Sequence, residues 1–143
     1  MGGLVSANPA LAMHVLVVED DRSVRETIGL VLEAYHHEPE LVADLAGTIA
    51  ALEVSFGDWP DVMLLDLRLV DESGEEVHRR IRERFGRVPP TVVISAAQEG
   101  ASRASRIPGA IFLSKPYTID QLLESIEAAV VPGLLKSDRK STR

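Results

Sequence analysis

The sequence predicts an α/β fold, a doubly wound parallel sheet of five strands with helices on both faces. Three observations predict it. Short apolar runs alternate five times with stretches whose apolar residues recur at helical spacing. One run, Val62-Met63-Leu64-Leu65, is apolar at every position, as a strand buried on both faces requires. Four of the runs end on polar groups able to do chemistry: Glu19 and Asp20, Asp66, Ser95, and Lys115. In a parallel sheet such residues gather at the carboxyl edge, where ligands bind in open α/β folds.

The elements follow in order. His14 to Val18 is a β-branched buried strand that runs into Glu19, Asp20 and Asp21. Ser23-Val24-Arg25-Glu26 has the form of a capping box and opens helix one, whose face is Val24, Ile28, Val31, Leu32 and Tyr35. Pro39 followed by Glu40-Leu41-Val42 predicts a short second strand at the sheet edge, because proline cannot donate to a ladder. Leu45, Ile49, Leu52 and Phe56 give helix two, stopped by Gly57. Asp58, Trp59 and Pro60 then lead into the central strand Val62 to Asp66.

After a loop through Asp71-Glu72-Ser73-Gly74, the stripe Val77, Ile81, Phe85 is helix three, closed by Gly86. Pro89-Pro90 introduces strand four, Thr91 to Ile94, ending at Ser95. The segment from Ala96 to Pro108 supports only a short helix four with a narrow face of Ala101 and Ala104, having no large apolar residue before Ile107. Ala110 to Leu113 is strand five, which leads into Ser114-Lys115-Pro116. Thr118 or Asp120 opens helix five, with Ile119, Leu122, Leu123, Ile126 and Val130 on one face.

The 143 residues are the size of one domain. Residues 1–12 read as a disordered leader, 13–131 as the folded unit, and 132–143 as a basic tail or the start of a linker. A net charge of -7 argues against a nucleic-acid surface on this domain. The chain has no cysteine, which excludes disulfides and thiol catalysis and fits a cytoplasmic location. No run approaches the length of a membrane span, and the opening residues lack the pattern of a signal peptide.

Clustered carboxylates without His or Cys partners favour a hard cation, Mg²⁺ or Mn²⁺. A lysine and a hydroxyl across from such an ion are what a transferred phosphoryl group needs, because its transfer is mostly positioning and charge neutralisation. Taken singly, each residue has an ordinary explanation: acids entering a helix, a capping serine, a surface lysine. Their joint occurrence on alternate elements does not.

From His14 to Val131 the chain resembles the receiver domains of two-component response regulators. Val17-Val18-Glu19-Asp20 is similar to the family's acidic pair and Leu64-Leu65-Asp66-Leu67 to its phosphoacceptor strand. Gly74 matches the glycine that opens the third helix, Ser95 the hydroxyl position, Phe112 the switch aromatic, and Lys115-Pro116 the Lys-Pro pair, commonly joined by a cis peptide. The resemblance implies a flavodoxin-like (βα)5 fold with strand order 2-1-3-4-5. It implies phosphorylation of Asp66 by a histidine kinase or phosphotransfer protein, and a metal held by Glu19, Asp20, Asp66 and the Arg68 carbonyl. It also implies a non-enzymatic regulator that assists its own phosphotransfer and dephosphorylation, acting on a downstream effector or a carboxyl-terminal output domain.

Some positions depart from the pattern. Val70 stands where the family often has proline, the stretch between Ser95 and Lys115 is short, and Arg68 and Ala97 occupy positions that vary the lifetime of the phosphate. The four histidines, His14, His36, His37 and His78, are expected at the surface or at strand ends. Two rivals remain: a phosphorylation-independent interaction module, and a haloacid-dehalogenase-like phosphohydrolase. The latter wants a second carboxylate where this chain has Arg68.

Overall fold

The structure, a computed structural model, describes residues 12–55 and 58–130. The expected leader up to residue 11, the Phe56 and Gly57 positions of helix two, and the tail from residue 131 lie outside them. The element order is β1 (His14–Val18), α1 (Arg22–Ala34), β2 (Glu38–Val42), α2 (Leu45–Glu53), β3 (Val62–Asp66), α3 (Gly74–Phe85), β4 (Thr91–Ala96), α4 (Ala97–Ala104), β5 (Ile111–Lys115) and α5 (Ile119–Val130). All strand pairs are parallel, in the order β2-β1-β3-β4-β5.

The strand period of two divides the core. Val15, Val17, Val62, Leu64, Val92, Ile94 and Leu113 face one side and pack with Ile28 and Leu32 of α1 and Leu122 and Ile126 of α5. Leu16, Val18, Met63 and Leu65 face the other and pack with Ala51 and Leu52 of α2 and Val77 and Ile81 of α3. All five residues of β3 are buried. The sheet therefore presents the carboxyl ends of β1, β3, β4 and β5 along one edge. Among the described residues no helix is long and apolar enough to cross a membrane.

Several boundaries differ from the expectation. Helix α1 starts at Arg22, not after Ser23, because Asp21 is the cap: its Oδ1 accepts from the Ser23 and Val24 amides at 3.0 and 3.1 Å. A carboxylate at that position makes charge-assisted bonds a serine cannot. Glu26, the expected capping-box partner, instead accepts from Arg22 Nε at 2.9 Å, and Val24 is exposed. Thr118, not Asp120, opens α5 through reciprocal bonds with Gln121 at 2.9 and 3.1 Å. Strand β5 begins at Ile111, and β4 and β5 pair as far as Ala96 and Lys115.

In α4 the inward residues are Gly100 and Ala104, while Ala101 is exposed. Its start at Ala96 has no side-chain cap. His78 is buried within α3, contrary to the expectation of a surface or strand-end place; His37, just before β2, is buried as well, and its Nδ1 accepts from the Met13 amide at 3.1 Å.

Gly74 is required by contact. A Cβ there would lie 2.7 Å from Leu67 Cδ2 and 2.9 Å from both the Asp66 carbonyl oxygen and Leu67 Cα. Two of those atoms are backbone and cannot step aside. Gly74→Ala is expected to cost about 1–3 kcal/mol, the range for overpacking, and to lower the urea midpoint without changing the slope. An unchanged midpoint would refute the close approach of α3 to the end of β3.

Candidate functional site

Asp66 ends the central strand and is 3% exposed. Its Oδ2 accepts from Lys115 Nζ at 3.1 Å, and its Oδ1 accepts from the Arg68 backbone N–H at 2.7 Å. Lys115 reaches it from the end of β5, and the Lys115-Pro116 peptide is cis. Glu19, at the end of β1, is also buried. Burial, followed by its hydrogen bond with Asp66, pushes the Glu19 carboxyl up to about 8, although the Asp21 N–H and Lys115 act in the opposite direction. The Asp21 N–H donates to Glu19 Oε2 at 3.1 Å. The same buried acids, after its own burial, push the Tyr117 phenol up.

These groups line an open pocket of about 780 Å³, with Asp20 at the rim beside Glu19 and with Arg68, Asp71 and Glu72 on the β3–α3 loop. An antiparallel bridge between Arg68 and Ser73 closes that loop, and Glu72 accepts from the Leu45 amide at the start of α2 at 3.2 Å. The structure therefore brings together Glu19, Asp20, Asp66, Arg68 and Lys115.

Ser95 and Phe112 stand apart from the pocket lining. Ser95 is 1% exposed at the end of β4, directly beside Asp66's strand. Phe112 is half-buried and packs with Leu67, Val93, Ala104 and Ile107. Gly100 makes this possible. A Cβ on it would come within 2.5 Å of Phe112 Cε1 and 2.8 Å of Ser95 Cβ, so Gly100, Phe112 and Ser95 meet in one tight contact.

Two site residues escape sequence reasoning. Arg25 Nη1 donates to the Glu19 and Asp20 carbonyls at 2.8 and 3.3 Å and so holds the backbone of the acidic pair. Arg103 of α4 lines the pocket and donates to the Leu67 carbonyl at 3.2 Å. Arg25 lies one turn into a helix that follows the acids, which is a usable signal. Nothing local marks Arg103.

Among the described residues no three His, Asp or Glu side chains converge into a closed metal cage. The donors are nevertheless all oxygen: two crowded carboxylates from β1 and β3, a third at the rim, and backbone carbonyls of an open loop. Burial first, and the hydrogen bond with Asp66 second, raise the Glu19 carboxyl, and a divalent cation in the pocket would offset the crowding of negative charge there. A partial protein shell completed by water is how Mg²⁺ is usually held.

The family model for the response regulator receiver domain matches residues 15–127. The chain belongs to that family. Response regulator MprA of Mycobacterium ulcerans is 30% identical over 130 residues, which cover 90% of this chain and 54% of that protein. The chain spans about half the length of the curated relatives it matches. Among solved structures it is similar to the signal receiver domain of a LuxO repressor protein from Vibrio parahaemolyticus, at 25% identity and a TM-score of 0.71, covering 89% of this chain and 96% of that one. The chemotaxis protein CheY4 of Vibrio cholerae matches at 21% identity and a TM-score of 0.70, covering 82% of this chain and 98% of that one, a likeness of fold.

The chain is thus a receiver domain of the two-component response regulators, a generally non-enzymatic signalling family. Phosphorylation and Mg²⁺ at an acidic pocket are typical of its members, which interact with histidine kinases and output domains.

Proposed function

We propose that Asp66 is the phosphoacceptor of this receiver domain. The observation that carries the reading is a buried carboxylate at the end of the central strand, bonded on one oxygen to Lys115 Nζ and on the other to a backbone N–H, in an acidic pocket open to solvent.

A carboxylate oxygen of Asp66 attacks the phosphorus of a phosphohistidine on a partner kinase or phosphotransfer protein. The P–N bond breaks, its electron pair returns to the imidazole nitrogen, and the product is an aspartyl phosphate. Lys115 follows the phosphoryl oxygens as charge leaves the carboxylate. Asp20, Asp66 and the Arg68 carbonyl would hold the divalent cation, with Glu19 acting mainly through water, and the ion would supply neutralisation of the phosphoryl charge. Arg25 keeps the acidic pair in register through two carbonyls.

The Ser95 hydroxyl then bonds the new phosphate, and the Phe112 ring, which packs against Ser95 and Gly100, turns inward with it. The surface of α4 and β5 changes with it, and that is the signal read by an effector or output domain. Water entering the same open pocket hydrolyses the acyl phosphate and resets the domain. Residues 13–131 are the unit that does this, and it works in the cytoplasm.

Intact-mass spectrometry after incubation with acetyl phosphate tests the reading. One phosphoryl adduct is expected with Mg²⁺ and none after chelation. An adduct of equal yield in both conditions would remove the cation from the proposal. No adduct in either, on folded protein, would favour a phosphorylation-independent interaction module.

A further inference from the structure

The peptide unit joining Leu67 and Arg68 is bonded at both ends. Its N–H donates to Asp66 Oδ1 at 2.7 Å, and its carbonyl accepts from Arg103 Nη2 at 3.2 Å and from the Gly74 N–H at 3.3 Å. Arg103 belongs to the last turn of α4, and its guanidinium also grips Glu75, in the first turn of α3, through Nε–Oε2 at 2.7 Å and Nη2–Oε1 at 2.6 Å. Both side chains are about four-fifths buried, and Arg103 holds the Glu75 carboxyl below its usual range, so the pair is charged in the folded protein.

A peptide plane is stiff, so its N–H and C=O tilt as one body. Any change that releases or redirects the Arg68 N–H must therefore move the Leu67 oxygen that Arg103 holds. Phosphorylation makes such a change. When an Asp66 oxygen bonds to phosphorus, the carboxylate becomes a neutral acyl group and its negative charge moves outward onto the phosphoryl oxygens. The short bond to the Arg68 N–H loses the charge that strengthened it.

We propose that Arg103 is a positioning residue that reads the state of Asp66 through the Leu67–Arg68 peptide and fastens α4 only while Asp66 is unphosphorylated. This rests on the phosphoacceptor reading of Asp66. It adds a specific route from the carboxylate to α4, distinct from movement of Ser95 and Phe112. Helix α4 suits the role. Its first residue has no side-chain cap, and it spans only Ala97–Ala104, so a bond in its last turn is a large share of what orders it.

The test is amide hydrogen exchange in residues 97–104, compared between the phosphorylated and unphosphorylated forms, with labelling verified by intact mass. Wild type, Arg103→Ala and the charge swap Glu75→Arg/Arg103→Glu are measured together. The swap restores an ion pair between α3 and α4, but a glutamate cannot donate to the Leu67 carbonyl.

In wild type, α4 exchange is expected to rise several-fold on phosphorylation. In Arg103→Ala and in the swap it is expected to be already fast, with a ratio between the two forms near one. A wild-type-like ratio in Arg103→Ala overturns the inference. Recovery of the wild-type ratio in the swap also overturns it, by assigning the coupling to the ion pair and not the peptide. An Arg103→Ala protein that folds but takes up no phosphoryl group does so too, since Arg103 would then act in the chemistry itself. Absence of the adduct in wild type removes the phosphoacceptor reading and the inference with it, whereas an adduct with no change in α4 leaves that reading standing and removes the inference alone.

Discussion

Asp66→Asn is expected to reduce phosphoryl uptake to background while leaving the fold intact. The amide has nearly the volume of the carboxylate, and its single oxygen can still accept from the Arg68 N–H or from Lys115 Nζ but not from both, so the buried position stays filled with one bond lost. What it loses is the nucleophile, since an amide oxygen bonded to phosphorus cannot form the acyl phosphate. Among the described residues the exposed carboxylates, Asp71 among them, lack both a lysine partner at bonding distance and the buried position at a strand end. Robust Mg²⁺-dependent labelling of Asp66→Asn, measured by intact mass, would defeat the assignment.

Without a divalent cation the protein is expected to lose stability as pH rises from 6.5 to 8. Glu19 ionises near 4.5 in an unfolded chain and near 8 in the fold. Between those values the folded state holds a proton that the unfolded state has released, so unfolding gains with pH, by up to about 1.4 kcal/mol per unit. The slope ends above 8. His37 and His78 act oppositely: burial lowers both below 6.5, so their neutral forms add stability as pH climbs through that value, an increase that fades about one unit above it. Glu75 and Glu76, lowered by Arg103 and Arg79, contribute above 4.5 and lose that contribution only in acid. The unfolded histidines finish titrating about one unit above 6.5, so the fall in stability that belongs to Glu19 steepens through the upper part of the window.

A bound cation replaces the proton. Mg²⁺ at a hundred times its dissociation constant is expected to add about 2.7 kcal/mol, a rise of about 10 °C in Tm, and to flatten the slope. The rise should grow toward pH 8, because binding then no longer displaces a proton. Asp66→Asn should lessen the slope without metal but not remove it, since burial, the larger cause of the raised Glu19 pKa, remains. Melts by circular dichroism at several pH values check all three. A Tm that is flat from 6.5 to 8 in wild type without metal would contradict the burial of Glu19 beside Asp66.

Much of this was legible because it is local. The apolar run of β3, the proline in β2 and the glycine after α3 each specify an element within a few residues, and the structure has β3 buried throughout, β2 at the edge and Gly86 left-handed at a φ of 76°. The convergence of Glu19, Asp66 and Lys115 was legible at one remove, since parallel strands deliver their carboxyl ends to one edge.

What was not legible depends on partners distant in the chain. Asp21 outcompetes Ser23 as a cap through geometry that both residue types allow in sequence. His37 and His78 are buried by the strand and helix packing around them, which a histidine's spacing does not announce. Arg103 reads as a surface charge on a weak helix, because Glu75 and the Leu67 carbonyl approach it only across the sheet edge.

Reductive trapping decides whether the phosphoryl group sits on Asp66 as an acyl phosphate. The protein is labelled with acetyl phosphate and Mg²⁺, treated with borohydride, digested and mapped by mass spectrometry. An acyl phosphate is reduced to the alcohol, so the account predicts homoserine at position 66 in labelled protein only. Intact Asp66 beside a reduced residue elsewhere, or a label that resists borohydride, would contradict it.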